Sequence, residues 1–123
     1  NIEIRMASKL HKYNLDINGI IQKKLDERFL RESIQKMLIS DPESDNFLVL
    51  ERESPIENSI YLQVMYENEM FYIETRVIHE GEEFRHYLYK TLSLIETEKI
   101  FIEYYENQKL PDISIWRDIT NNF

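Results

Sequence analysis

The sequence predicts an α+β domain, an antiparallel meander of four strands with two helices packed on one of its faces. Three observations lead there. A helical stretch with one apolar face precedes residue 41, four strand-like stretches run from there to residue 91, and a second capped helical stretch follows. Neither helix falls between two sequential strands, so the order contains no parallel crossover unit. The 123 residues make one domain, 1–123, in which residues 1–24 stay ambiguous. Within them "IEIRMAS" alternates like a fifth strand, whereas "GIIQKKL" has the look of a helix start.

In "LDERFLRESIQKMLIS", Asp26 is placed to cap a helix, and Leu30, Ile34, Met37 and Leu38 recur on one apolar face. "SDPESDN" ends it with proline and short capping side chains. "FLVLERE" reads as the first strand of the meander and "SPIEN" as its connection to the next. The stretch "IYLQVMYENEMFYIETRV" then alternates with period two and fixes its own register. With Asn68 and Glu69 as the loop, Tyr66 opposes Phe71, Val64 opposes Ile73, Leu62 opposes Thr75 and Ile60 opposes Val77, all apolar or threonine. The other face pairs Met65 with Tyr72, Gln63 with Glu74, and Tyr61 with Arg76.

"EGEE" at 80–83 marks the next turn. Pairing His79 with Phe84 sets Val77 opposite His86 and Thr75 opposite Leu88 on the core side. Arg76 then meets Tyr87, and Glu74 meets Tyr89, on the outer side. A bulge at Gly81 would instead exchange the two faces of this last strand. "SLIETEKIFIEYYENQK" is the second helix, with Ser93 and Glu96 in a capping box and Leu94, Phe101, Ile102 and Tyr105 near helical spacing. Pro111 stops it, and Trp116 in "DISIWRDI" is expected to pack back on the body.

The composition is 42% hydrophobic and 31% charged, that of a folded domain able to form its own core. No cysteine is present, which excludes disulfides, thiolate metal sites and a cysteine nucleophile, and fits a reducing cytoplasm. No apolar run approaches the roughly 18 residues that span a bilayer, and "NIEIRMASKLHKYN" has no signal-peptide apolar region. That stretch also lacks an initiator methionine, which leaves room for residues upstream. Net charge is −8, concentrated in residues 41–83, where 12 Asp/Glu face 2 Lys/Arg. Such a field repels nucleic acid and draws a basic protein partner.

No chemical motif stands out. No serine sits in a nucleophile elbow, no glycine-rich phosphate loop exists, and the carboxylate pairs are too numerous to single out an acid and a base. No cofactor is expected. His79 and His86, as diagonal neighbours about 7–8 Å apart on one face, with Glu82 or Glu83 nearby, would suit a metal and hence a small metal-dependent hydrolase. Structural histidines are the plainer reading.

The outer sheet face carries more information. It is expected to present Tyr61, Arg76 and Tyr87 in one row, Gln63, Glu74 and Tyr89 in the next, then Met65 and Tyr72. Tyrosine, methionine and arginine are enriched at protein interfaces. Glu67, Glu69, Glu82 and Glu83 lie at the two ends of these strands, placed to steer a partner. Tyrosine's intrinsic strand preference, cover by the N-terminal segment and a homodimer seam compete with that reading.

The C-terminal part also resembles a family. "LSLIETEKIFIEYYENQKLPDISIWRDI", through Leu92, Ser93, Phe101, Tyr104, Tyr105 and Trp116, resembles the ending of small immunity proteins from bacterial polymorphic and contact-dependent toxin systems. "FLVLERE", "SIYLQV" and "FYIETRV" are similar to the strand layout of those proteins, so the likeness runs over about residues 25–119. It implies a cytoplasmic, non-enzymatic inhibitor that binds one cognate and often basic toxin domain, frequently a nuclease. Separately, the chain is expected to be a monomer or a homodimer. The family has no fixed binding residues to carry over.

Overall fold

The computed structural model describes residues 13–41, 46–79 and 83–123. Among these residues seven strands form one antiparallel sheet: β1 (Tyr13–Ile17), β2 (Ile20–Ile21), β3 (Phe47–Ile56), β4 (Ser59–Glu67), β5 (Met70–Ile78), β6 (Phe84–Thr91) and β7 (Arg117–Asp118), in the order β2-β1-β3-β4-β5-β6-β7. The α-helices among the described residues are α1 (Glu27–Lys36) and α2 (Leu94–Asn107). The class is α+β with an antiparallel sheet. The four-strand meander is its middle, β3 to β6, extended by a hairpin on one side and a two-residue strand on the other.

That added hairpin corrects the reading of the N-terminal segment. Asn18 and Gly19 both take positive φ (53° and 90°), the turn that closes a two-residue hairpin. Asn18 Oδ1 accepts from Phe47 N at 2.8 Å, tying the turn to the start of β3. "GIIQKKL" is therefore a turn and an edge strand, not a helix start. "IEIRMAS" lies outside the described residues.

α1 starts where expected. Asp26 accepts from Phe29 N at 2.7 Å, and Leu30, Ile34 and Met37 are buried. Leu38 is not: the chain tightens into a 3₁₀ turn over Met37–Ile39, which rotates Leu38 and Ile39 outward. At α2 only half of the capping box forms. Ser93 Oγ accepts from Glu96 N at 3.0 Å, but Thr91 Oγ1 takes Ser93 N, while the Glu96 carboxylate receives the Tyr89 hydroxyl. The two helices are joined through Glu98, which accepts from Gln35 at 2.8 Å and lies 3.5 Å from Arg31.

Both helices cover one sheet face. Leu15, Leu48, Leu50, Leu62, Val64, Phe71 and Ile73 meet Leu30 and Ile34 from α1 and Phe101, Ile102 and Tyr104 from α2. Burial of each such side chain is worth about 1.5–3 kcal/mol. Trp116 packs back as expected, nearly parallel to Tyr89 with centroids 5.5 Å apart. Beneath β4, hydroxyls replace apolar contact. Thr75 Oγ1 donates to the Tyr61 carbonyl at 2.8 Å, which leaves it to accept from Ser59 Oγ (2.7 Å), and Ser59 in turn accepts from the Tyr104 hydroxyl (3.0 Å). The chain of donors satisfies three buried hydroxyls.

The β4–β5 register is as the alternation predicts from Tyr66↔Phe71 to Tyr61↔Arg76. It then shifts: Ser59, not Ile60, opposes Val77, because a bulge displaces Ile60 and buries Ser59. The β3–β4 connection is also shorter than "SPIEN". β3 runs to Ile56, and Glu57 and Asn58 alone make the turn, at φ 48° and 72°.

Asn68 and Glu69 close β4–β5 in the same left-handed geometry (φ 52° and 63°). A side chain at such a φ is disfavoured, and glycine is the residue best suited to it. Glu69→Gly is expected to stabilise the fold by about 0.5–1 kcal/mol after its larger unfolded-state entropy is counted. Thermal unfolding checks this; a lower midpoint would contradict the turn geometry.

Candidate functional site

The sheet face away from the helices is built by strict alternation. Its first row runs Phe47, Met65, Tyr72 and Lys90 across β3 to β6; its second, Val49, Gln63, Glu74 and Leu88; its third, Glu51, Tyr61, Arg76 and His86. Six of the expected outer residues therefore do share one face: Tyr61, Gln63, Met65, Tyr72, Glu74 and Arg76. All six are half-buried.

Tyr87 and Tyr89 do not join them. β6 pairs one residue out of the expected register, with Thr75 opposite Tyr87 and Ile73 opposite Tyr89. Both tyrosines face the helices, where Tyr89 donates to the Glu96 carboxylate at 3.0 Å; that hydrogen bond raises its pKa. The same shift turns His86 and Leu88 outward. β6 reads "FRHYLYK", in which either alternate set can serve as a core face, so polarity does not select the register.

The histidine pair fails for the same reason. His86 opposes Arg76 on the outer face. His79 lies just past β5, two residues beyond the inward Val77 and so on the helix side by alternation, with its backbone NH on the Glu83 carbonyl. The two rings cannot share a metal. Among the described residues no group of three His, Asp or Glu side chains is placed to hold one.

His86 instead organises the third row. It is 2% exposed. Arg76 Nε donates to its Nδ1 at 3.2 Å; since arginine has no acceptor, Nδ1 must accept and the proton sits on Nε2. Nε2 then donates to Glu74 Oε1 at 2.8 Å, while Gln63 holds the other Glu74 oxygen at 3.2 Å. The Tyr61 hydroxyl lies 3.4 Å from Nδ1, and burial raises the Tyr61 pKa.

The C-terminal segment closes this end of the face. Thr120 Oγ1 accepts from the His86 backbone NH, Ile119 N donates to the His86 carbonyl, and the Phe123 ring lies 4.5 Å from the imidazole. Asp118 holds Thr120 in place and has its pKa lowered by the Thr120 hydroxyl. The sequence offered no sign of this strap, because Thr120 and Phe123 belong to no periodic stretch.

At the other end no segment among the described residues closes over the face. A groove of about 870 Å³ runs from Phe47 and Met65 past Asn46 and Tyr66 to Met37 and Leu38. Glu67 and Glu69, both exposed, line the same groove at the β4–β5 turn. Glu83 is exposed beyond the far end of β5, and Glu82 lies outside the described residues. No helix among the described residues is long and apolar enough to cross a membrane.

The fold and face together define a one-sided sheet protein whose second surface mixes aromatic, thioether and charged side chains. In comparisons with protein-family models, curated proteins and solved structures, none matched the chain.

Proposed function

We propose that the protein is an immunity protein, a cytoplasmic, non-catalytic inhibitor that binds a cognate secreted toxin domain and covers its active site. The observation that carries this reading is the open end of the outer face. There Phe47, Met65 and Tyr72 form a row of large, low-polarity side chains continuous with the groove toward Leu38. Aromatic residues and methionine concentrate at the centres of protein interfaces, with charge at the rim. Glu67 and Glu69 supply that rim, and they favour a basic partner by steering its approach. The resemblance of "LSLIETEKIFIEYYENQKLPDISIWRDI" to immunity proteins points the same way. Tyr61, Gln63, Met65, Tyr72, Glu74 and Arg76 are the proposed contacts, joined by Phe47 and Val49.

Co-expression with a toxic C-terminal domain encoded in the adjacent reading frame tests it. The wild-type chain is expected to restore growth, and Met65→Asp together with Tyr72→Ala to abolish rescue while leaving the fold intact. Charge reversal at Glu67, Glu69, Glu82 and Glu83 is expected to slow association and flatten its salt dependence. Rescue that survives the Met65 and Tyr72 changes would place the contact elsewhere.

A further inference from the structure

We propose that Arg76 is a preorganised binding site for an oxyanion, a carboxylate or phosphate presented to the outer face. The inference stands on the geometry of one guanidinium and does not depend on which partner the face takes. Arg76 sits in the corner of two nearly perpendicular rings, 4.1 Å from the Phe84 centroid and 4.8 Å from that of Phe123. Its Nε is committed to His86 Nδ1. Side-chain orientation is thus fixed from three sides, and no hydrogen bond among the described residues engages the two terminal amino groups.

Among the described residues this clamp holds no anion. Arg28, Arg31 and Arg85 each lie within 4 Å of a carboxylate, and the chain carries 23 acidic residues. Arg76 nevertheless forms no ion pair among the described residues. The carboxylate two positions away, Glu74, has one oxygen on His86 and the other on Gln63. A half-buried cation has lost part of its hydration, and aromatic faces return only some of it. A planar fork held rigid with free donors fits two oxygens of one group side by side. The ordering cost of arginine's long side chain, which normally offsets such a contact, is already met in the fold.

The test is titration of the intact chain with sodium acetate and, separately, inorganic phosphate at constant ionic strength, followed by ¹⁵N NMR of the arginine side chains. Arg76 Nε–H is expected to shift and saturate, with Arg117, which forms no ion pair among the described residues, moving little and linearly. Arg76→Lys keeps the charge without the fork and is expected to lose the effect; its readout is the imidazole of His86. Phe123→Ala removes one wall and is expected to weaken binding about fivefold. Because Phe123 is largely exposed, that variant retains the fold. Saturation with acetate alone assigns a side-chain carboxylate, with phosphate alone a phosphate group, and with both the shared chemistry. Equal, unsaturating shifts at Arg76 and Arg117 with both anions would overturn the proposal.

Discussion

His86→Ala is expected to destabilise the protein by about 2–4 kcal/mol, more than any other change on the outer face. Three losses combine. The Glu74 carboxylate gives up its 2.8 Å hydrogen bond, Arg76 Nε gives up its acceptor, and a ring that is almost wholly buried leaves a void beneath Phe123. The backbone contacts to Thr120 and Ile119 survive, since they use the main chain of residue 86. Leu88→Ala provides the comparison: it lies on the same strand and face, is half-buried, and holds no polar network. Its cost is expected at about 1 kcal/mol. Urea unfolding of the three proteins measures the difference. Equal losses for the two variants would mean that the network contributes nothing beyond packing.

The second large effect is alkaline. Burial pushes the Tyr104 hydroxyl up to about 12, and its hydrogen bond to Ser59 offsets only part of this. The phenol is neutral when protonated, and its folded pKa lies above the unfolded value of 10.0. The folded state therefore holds its proton more tightly. Its contribution is complete below pH 10 and is lost as pH rises from there toward 12, by about 2–3 kcal/mol. Burial raises Tyr13, Tyr61 and Tyr105 in the same sense. Tyr104→Phe is expected to cost about 1 kcal/mol at neutral pH, where Ser59 loses a donor, and to flatten the alkaline fall. Unfolding midpoints of both proteins between neutral pH and pH 12 decide the matter. Parallel curves would show that Tyr104 does not govern the loss.

These two effects mark where the sequence was legible and where it was not. The β4–β5 hairpin could be read residue by residue, because Leu62, Val64, Phe71 and Ile73 alternate with polar or amphipathic neighbours and a slip would bury Glu74. The caps at Asp26 and Ser93 were equally plain, being local chemistry. β6 resisted because "FRHYLYK" has no polarity contrast between its faces, and Tyr87, Tyr89 and His86 changed sides as a result. Ile60 was misplaced by a bulge that no periodicity announces. The Asn18-Gly19 turn was present in the sequence but stood inside "GIIQKKL", whose apolar run suggested a helix. The network around His86 depends on the C-terminal strap, a contact far apart in sequence.

The central claim, that the open outer face is the docking surface, has built-in reporters. Met65 and Met70 lie on that face by alternation, and Met37, in the turn after α1, lines the adjoining groove. Methyl NMR of the ¹³C-methionine protein, recorded alone and with the adjacent toxin domain, reads them directly. The account predicts that the Met65 and Met70 methyls shift or broaden on complex formation. A complex that forms with the Met65 and Met70 signals unmoved would contradict it.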